Sequence, residues 1–276
     1  MRSILIATDT HADSDRALSR AVRLAVALGA KLTVLSVMED TDENTALILR
    51  EGLVEDQLSA QPGAESLTKD VVVTSGDPAE AIARCALQTD ADLVVMGQHH
   101  TRKFFDGFRA TTLEKILQAL ECPALLAVEP SVQDYANILA PVDFSPACAA
   151  SIAAAKTLAP DAEIRLMHVV EVPYQNSIAA PGAVGDVSHM VDPAPFIEDA
   201  QNRAREFAPG LVAEFPTGPF HHELSVSLRT LPAQLVCLGA HTKRSAIDAL
   251  LGSFTADLVR DPPTDLLIAP PPRSAE

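Results

Sequence analysis

Basic residues are scarce in this 276-residue chain. Lys and Arg number 21 against 37 Asp and Glu, giving a formal net charge of −16 and a pI near 4.8. Such a field repels phosphate backbones and anionic lipid, so we expect neither nucleic acid nor a membrane surface as a partner. Any anion bound here needs a local positive site. Long apolar runs are also missing: nothing approaches the roughly 20 residues that cross a bilayer. The apolar start at residues 4–7 meets Asp9 too early for a secretory signal, so we expect a cytoplasmic protein. Cysteine is sparse. Cys85, Cys122, Cys148 and Cys237 lie far apart with no C-x-x-C, which argues against a thiolate cage or redox pair and for buried thiols in a reducing cytosol. A nucleophile elbow, a Ser/His/Asp set and paired carboxylates are likewise missing, so a dedicated hydrolase is not indicated.

What the chain does have is size and repetition. Its 47% hydrophobic content suffices for real cores, in one large domain or two ordinary ones. Sliding the sequence by 142 lays residues 76–102 on 218–244 without a gap, matching Gly76 with Gly218, Leu93 with Leu235, Gly97 with Gly239, His99 with His241 and Arg102 with Arg244. The same register carries ALLAV (124–128) onto LLIAP (266–270). Shifts of 134 and 132 lay ILIATD (4–9) on ILAPVD (138–143) and AKLTVLSV (30–37) on AEIRLMHV (162–169). Two copies of one unit follow, 1–132 and 133–276, each netting −8, with the seam in the polar stretch 129–135.

Within a copy, short aliphatic runs bounded by turn residues alternate with helical patterns, the signature of parallel strands crossed by helices. The pattern predicts strands at 3–8, 32–37, 71–74, 92–96 and 124–128. Between the first two, Ala17, Ala21, Leu24 and Leu28 share a helix face that Ser14 can cap and Gly29 can end. In the second copy Pro146 takes a first helical position. Runs such as DLVVMG and QLVCLG lack alternation because both sheet faces are buried. The expected fold is α/β: an open, doubly wound parallel sheet per half, with helices on both sides.

Such sheets bind ligands beyond the carboxyl ends of their strands, where strand order reverses. Asp143 follows the first strand of the second copy, Val169 ends its second and Gly239 follows its fourth, so all three point to one crevice. Asp143 either accepts hydrogen bonds from a ribose or an adenine amine or caps the next helix, a task Ser145 can equally perform. Gly239 removes a side chain where the backbone approaches a ligand or turns sharply. Gly252 and Ser253 open a helix whose free amides favour phosphate, and Lys243 and Arg244 supply charge from the intervening loop; the alternative is an ordinary turn, cap and solvated loop. His168 could touch a base. His99, His100 and His241 raise zinc, against loop polar contacts, but lack H-x-x-x-H spacing, and His221 and His222 sit on a predicted helix; we assign no metal ligand. The long stretch 171–195 either covers the crevice or is a surface insertion.

On these residues the chain resembles the universal stress proteins, in particular the UspE-type group with two domains fused. The nucleotide-binding members of that family carry an aspartate after the first strand and a signature of Gly, two residues, Gly, nine residues, then Gly with Ser or Thr. Asp143, Gly239, Gly252 and Ser253 match it, and Thr242 replaces the middle glycine. In the first copy Asp9, Gly97 and Thr111 match, whereas His100 and Ala110 replace the other two glycines. The resemblance therefore implies ATP or a related adenine nucleotide, with or without Mg²⁺, in a second-domain site built from Pro141, Val142, Asp143 and Val169, from Gly239, His241 and Thr242, and from Gly252, Ser253, Phe254 and Thr255. It implies a degenerate first domain, Rossmann-like domains of the adenine nucleotide alpha hydrolase type, and fifth strands that associate into an internal pseudo-dimer, open to further homodimerisation. The function implied is a cytoplasmic stress-response role with at most slow ATP hydrolysis. A scaffold or chaperone-like protein that binds partners or an acyl ligand is the alternative.

Overall fold

In the computed structural model, residues 1–11, 14–38, 44–97, 112–172, 192–240 and 253–272 are described, with backbone only for Ser253 and Phe254. The first half runs β1 (Ser3–Thr8), α1 (Ser14–Leu28), β2 (Lys31–Met38), α2 (Asn44–Ser59), β3 (Lys69–Ser75), α3 (Pro78–Gln88), β4 (Leu93–Gly97), α4 (Thr112–Ala119) and β5 (Ala124–Ala127). The second runs β6 (Asn137–Pro141), α5 (Pro146–Leu158), β7 (Glu163–Met167), α6 (Ala194–Phe207), β8 (Val212–Glu214), α7 (Phe220–Thr230), β9 (Leu235–Gly239), α8 (Ser253–Arg260) and β10 (Asp265–Ala269). The 142-residue shift carries α3 onto α7 and β4 onto β9 residue for residue.

Local chemistry explains the element ends. On α1, Ala17, Ala21 and Leu24 are buried and Leu28 packs against them, and the helix stops where Gly29 adopts φ 61°, a left-handed conformation open to a residue without Cβ. On α5, the Ser145 hydroxyl accepts from the Cys148 amide at 3.3 Å, with Pro146 in the first turn. Asp77 does the same for α3, accepting from the Glu80 amide at 3.0 Å.

All ten strands form one sheet in the order β3-β2-β1-β4-β5-β10-β9-β6-β7-β8. Pairing is parallel within each half and antiparallel only between β5 and β10, where Leu125 faces Leu267 and Leu126 faces Leu266. The fifth strands thus meet as the resemblance implied, and each covers the other's unpaired edge. Strand order reverses between β1 and β4, and again between β6 and β9, so each half has one switch-point crevice.

Side chains along each strand alternate between two cores. Ile4 and Ile6 join α1, α2 and α5 on one face, whereas Leu5 joins α3, α4, α7 and α8 on the other. Both cores run through both halves, so neither half has a core of its own. Three thiols, Cys85, Cys148 and Cys237, are buried as expected; Cys122 is only partly so.

The seam read as a polar linker holds a buried ionic cluster. Asp265, fully buried at the start of β10, accepts from the amides of Val128 and Glu129 at 2.8 and 2.9 Å as the chain leaves β5. It also accepts from the Tyr135 hydroxyl at 2.6 Å and lies 3.3 Å from Nε of the buried Arg20. That guanidinium donates to the Gln133 carbonyl at 2.8 Å and stands 4.3 Å over the Tyr135 ring. Burial and the neighbouring Asp265 carboxylate push the Tyr135 phenol well above its ordinary range, so it stays a donor. On the other face, Arg260 of α8 donates to the buried Glu114 of α4 at 2.9 and 3.1 Å.

Removing one partner of a buried ionic cluster strands the rest, a loss of about 3–5 kcal/mol. Asp265→Ala should therefore lower the urea-derived unfolding free energy by that amount. Because the cores are shared, wild-type unfolding followed by circular dichroism and by tyrosine fluorescence should give one coincident transition rather than two.

Candidate functional site

Beyond the carboxyl ends of β6, β7 and β9 lies a cavity of about 1030 Å³. The β6 exit (Pro141, Val142, Asp143), the β7 exit (His168 to Val172), Gly239 and Thr255 border it, so six of the predicted site residues share one wall. Helices α6 and α7 close the sides with Phe196, Asp199, Arg203, Phe220 and His221. The corresponding crevice of the first half, bordered by Asp9, Gly97 and apolar side chains such as Ile82 and Met96, measures about 160 Å³. Small-molecule sites are typically about 300–1,000 Å³, so the second crevice has the size of one and the first is smaller.

Asp143 is set by a turn that nothing in the residue types foretold. Its Oδ1 accepts from the Ser145 amide at 2.9 Å and from the Cys148 thiol at 3.0 Å, while Ser145, not Asp143, caps α5. Between Asp143 and Ser145, Phe144 adopts φ 64°, a left-handed conformation costly for a large side chain. The same device occurs in the first half: Asp9 Oδ1 accepts from the His11 amide at 3.0 Å and the Ser14 hydroxyl at 2.5 Å, and Thr10 adopts φ 63°. The strained residue is clamped differently in each. Arg50 and Gln57 of α2 donate to the Asp9 and Thr10 carbonyls at 2.7 and 3.1 Å, and Arg50 also reaches the Thr10 hydroxyl, drawing α2 down onto the turn. In the second half the Phe144 ring lies 4.4 Å from that of His168 and 5.5 Å from that of Phe207, with the Arg203 guanidinium 4.5 Å from its centre.

Gly239 has a reason the sequence did not reveal. A Cβ there would stand 2.5 Å from the Cys148 amide nitrogen and 2.6 Å from the Ala147 carbonyl carbon. Its missing side chain admits the first turn of α5 against the strand. This brings Cys148 and the Asp143 turn to the crevice mouth. Burial raises the Cys148 thiol above its ordinary value, keeping it a donor to Asp143, and lifts Cys237 behind it to about 12.

The described wall mixes signs, with Asp143, Glu171 and Asp199 beside Arg203, and it also carries the imidazoles of His168 and His221; His221 lies 3.3 Å from Asp257 of α8. His241, Thr242, Lys243, Arg244 and Gly252 lie outside the described residues, as do His99, His100, Ala110 and Thr111. Ser253 and Phe254 open α8 as backbone, and Thr255 is buried in its first turn. Most of the stretch 171–195 is also outside. Among the described residues no three His, Cys, Asp or Glu gather as a metal site, and no helix is long and apolar enough to cross a membrane. Sequence reasoning missed Phe144, Cys148, Arg203 and the α7 start; only the pairing of Thr10 with Phe144 in the 134-residue register offered a signal.

Known proteins resemble this arrangement. The profile described as the universal stress protein family matches residues 1–127 and again 134–270. A universal stress protein of Thermus aquaticus, encoded in the 3′ region of a sulfhydrylase gene, is 29% identical over 133 residues, which cover 45% of this chain and 97% of the relative. A universal stress protein structure from Archaeoglobus fulgidus superposes with a TM-score of 0.67 at 16% identity, covering 98% of each chain. A Pseudomonas aeruginosa structure gives 0.68 at 17% identity, covering 98% of this chain and 94% of its own. At such identities these structures speak for the fold.

Two outcomes follow from the packing. Gly239→Ala should destabilise by about 1–3 kcal/mol in urea titration, since the α5 backbone must retreat. Because thiolate is the reactive form and burial disfavours it, Cys148 and Cys237 should resist iodoacetamide at pH 8 until the protein unfolds, as read by mass spectrometry.

Proposed function

Because the chain belongs to the universal stress protein family, we propose that it is a stress-response protein that binds one adenine nucleotide, ATP or a close relative, in the crevice of its second domain. The observation that carries this reading is the 1030 Å³ cavity at the β6/β9 switch point, entered by an aspartate on a fixed turn, against 160 Å³ in the first half. In this reading Asp143 accepts from the ribose or base. The opening amides of α8 receive the phosphates, helped by the backbone at Thr242 and Gly252 and by the charge of Lys243 and Arg244. Mg²⁺ arrives with the triphosphate. Domain one (1–132) is structural, and domain two (133–276) carries the ligand.

The proposal assigns occupancy rather than turnover as the working output. A ligand that binds only the folded state stabilises it by about 2.7 kcal/mol at 100 times its Kd, so nucleotide level becomes stability or partner access in the cytoplasm. Loss of nucleotide binding would leave the scaffold role.

Supernatant of freshly denatured protein should contain about one adenine nucleotide per chain by absorbance and mass. In calorimetry, Asp143→Ala should weaken ATP binding at least tenfold, whereas Asp9→Ala should leave it unchanged. No released nucleotide together with no heat on ATP titration would refute the proposal in favour of the scaffold.

A further inference from the structure

Resting on that nucleotide reading, we propose that His168 is the residue that selects the base: its Nε2 accepts from an exocyclic amino group, so the crevice prefers 6-aminopurine over 6-oxopurine nucleotides. His168 ends up at the β7 exit with Nδ1 2.7 Å from the Val142 carbonyl oxygen. A carbonyl has no hydrogen to give, so Nδ1 must be the donor, and the neutral ring carries its lone pair on Nε2. The ring cannot turn over without losing that bond, and it packs against Phe144 at 4.4 Å between centroids. Nε2 itself makes no hydrogen bond among the described residues, and it is not one of their buried unpaired atoms. A fixed, accessible acceptor therefore stands on a residue that borders the cavity.

Selection follows from what a ligand places against that lone pair. An amino group satisfies it. A keto oxygen brings a second lone pair, expels water and leaves both acceptors unmatched, which is the situation in which binding sites discriminate most strongly. The first domain has no equivalent reader, because the 132-residue register puts Ser36 at this position, fully buried with its hydroxyl unpaired among the described residues.

Calorimetry with ATP and with inosine triphosphate, which differ in the 6-substituent and with it in the N1 hydrogen, tests the assignment on the full chain. Wild type should bind ATP roughly tenfold more tightly, the size of one unmade hydrogen bond to a desolvated acceptor. His168→Phe keeps an aromatic partner for Phe144 and removes the acceptor, so it should weaken ATP about tenfold, leave inosine triphosphate unchanged and abolish the preference. His168→Gln, whose amide offers both a donor and an acceptor, should strengthen inosine triphosphate; it also decides the matter if the Phe variant does not fold. Equal wild-type affinities, or equal losses for both nucleotides in the variants, would overturn the assignment and leave nucleotide binding intact. Binding of neither nucleotide by wild type would overturn both.

Discussion

The antiparallel pairing of β5 with β10 is the constraint on which the rest of the molecule depends. A five-stranded parallel sheet in the order 3-2-1-4-5 leaves its fifth strand as an unpaired hydrophobic edge, and ALLAV and LLIAP are too apolar to face water. Joining them closes both edges at once and lets one pair of helical layers cover ten strands. Since the join is antiparallel, the carboxyl ends of the two halves point in opposite directions along the sheet. The two crevices therefore open at opposite ends, and no ligand can touch both. Each was free to change without disturbing the other.

Fusion into one chain also removed the demand for symmetry at the join. The Asp265 cluster occurs on one side of the pseudo-twofold axis only. In the 142-residue register its counterpart is Pro123, which cannot accept a hydrogen bond from its side chain, and the counterpart of Arg20 in the 132-residue register is Ile152. One carboxylate gathers the end of β5, the connecting segment and α1 through four contacts, so a stretch that looks like a linker is anchored. A homodimer would need such a cluster twice or not at all. Buried charge is an inefficient source of stability, and its use here fits a need for one register at the join rather than for strength.

Much of this was legible in the sequence. The aliphatic runs at 3–8 and 92–96, the α1 face and the Pro146 start all survive in the structure because both-face burial and helix periodicity are local and strong. The repeat gave the pairing of the fifth strands its symmetry. What stayed hidden depends on contacts between distant segments. Tyr135 reads as part of a polar stretch because its partner lies 130 residues away. Gly239 reads as a ligand-approach glycine, yet the atoms that crowd it belong to α5. Arg203 carries no motif; it matters because α6 lays it on Phe144. The left-handed Phe144 violates residue preference outright, and such violations are where function and local propensity part company.

That strained turn is also held differently in the two crevices. A left-handed non-glycine residue costs roughly 1–3 kcal/mol and persists only where its surroundings hold it. In the first half the holding groups are Arg50 and Gln57 of α2, whose hydrogen bonds are spent on the Asp9 and Thr10 carbonyls. In the second half the holding is done by stacked rings, His168 and Phe207, and by a guanidinium that lies on the ring. Phe144 is held by rings and a guanidinium from the β7 exit and α6, whereas Thr10 is held by hydrogen bonds from α2. The same backbone device thus borders a crevice of about 160 Å³ in one copy and of about 1030 Å³ in the other, and different side chains restrain it in each.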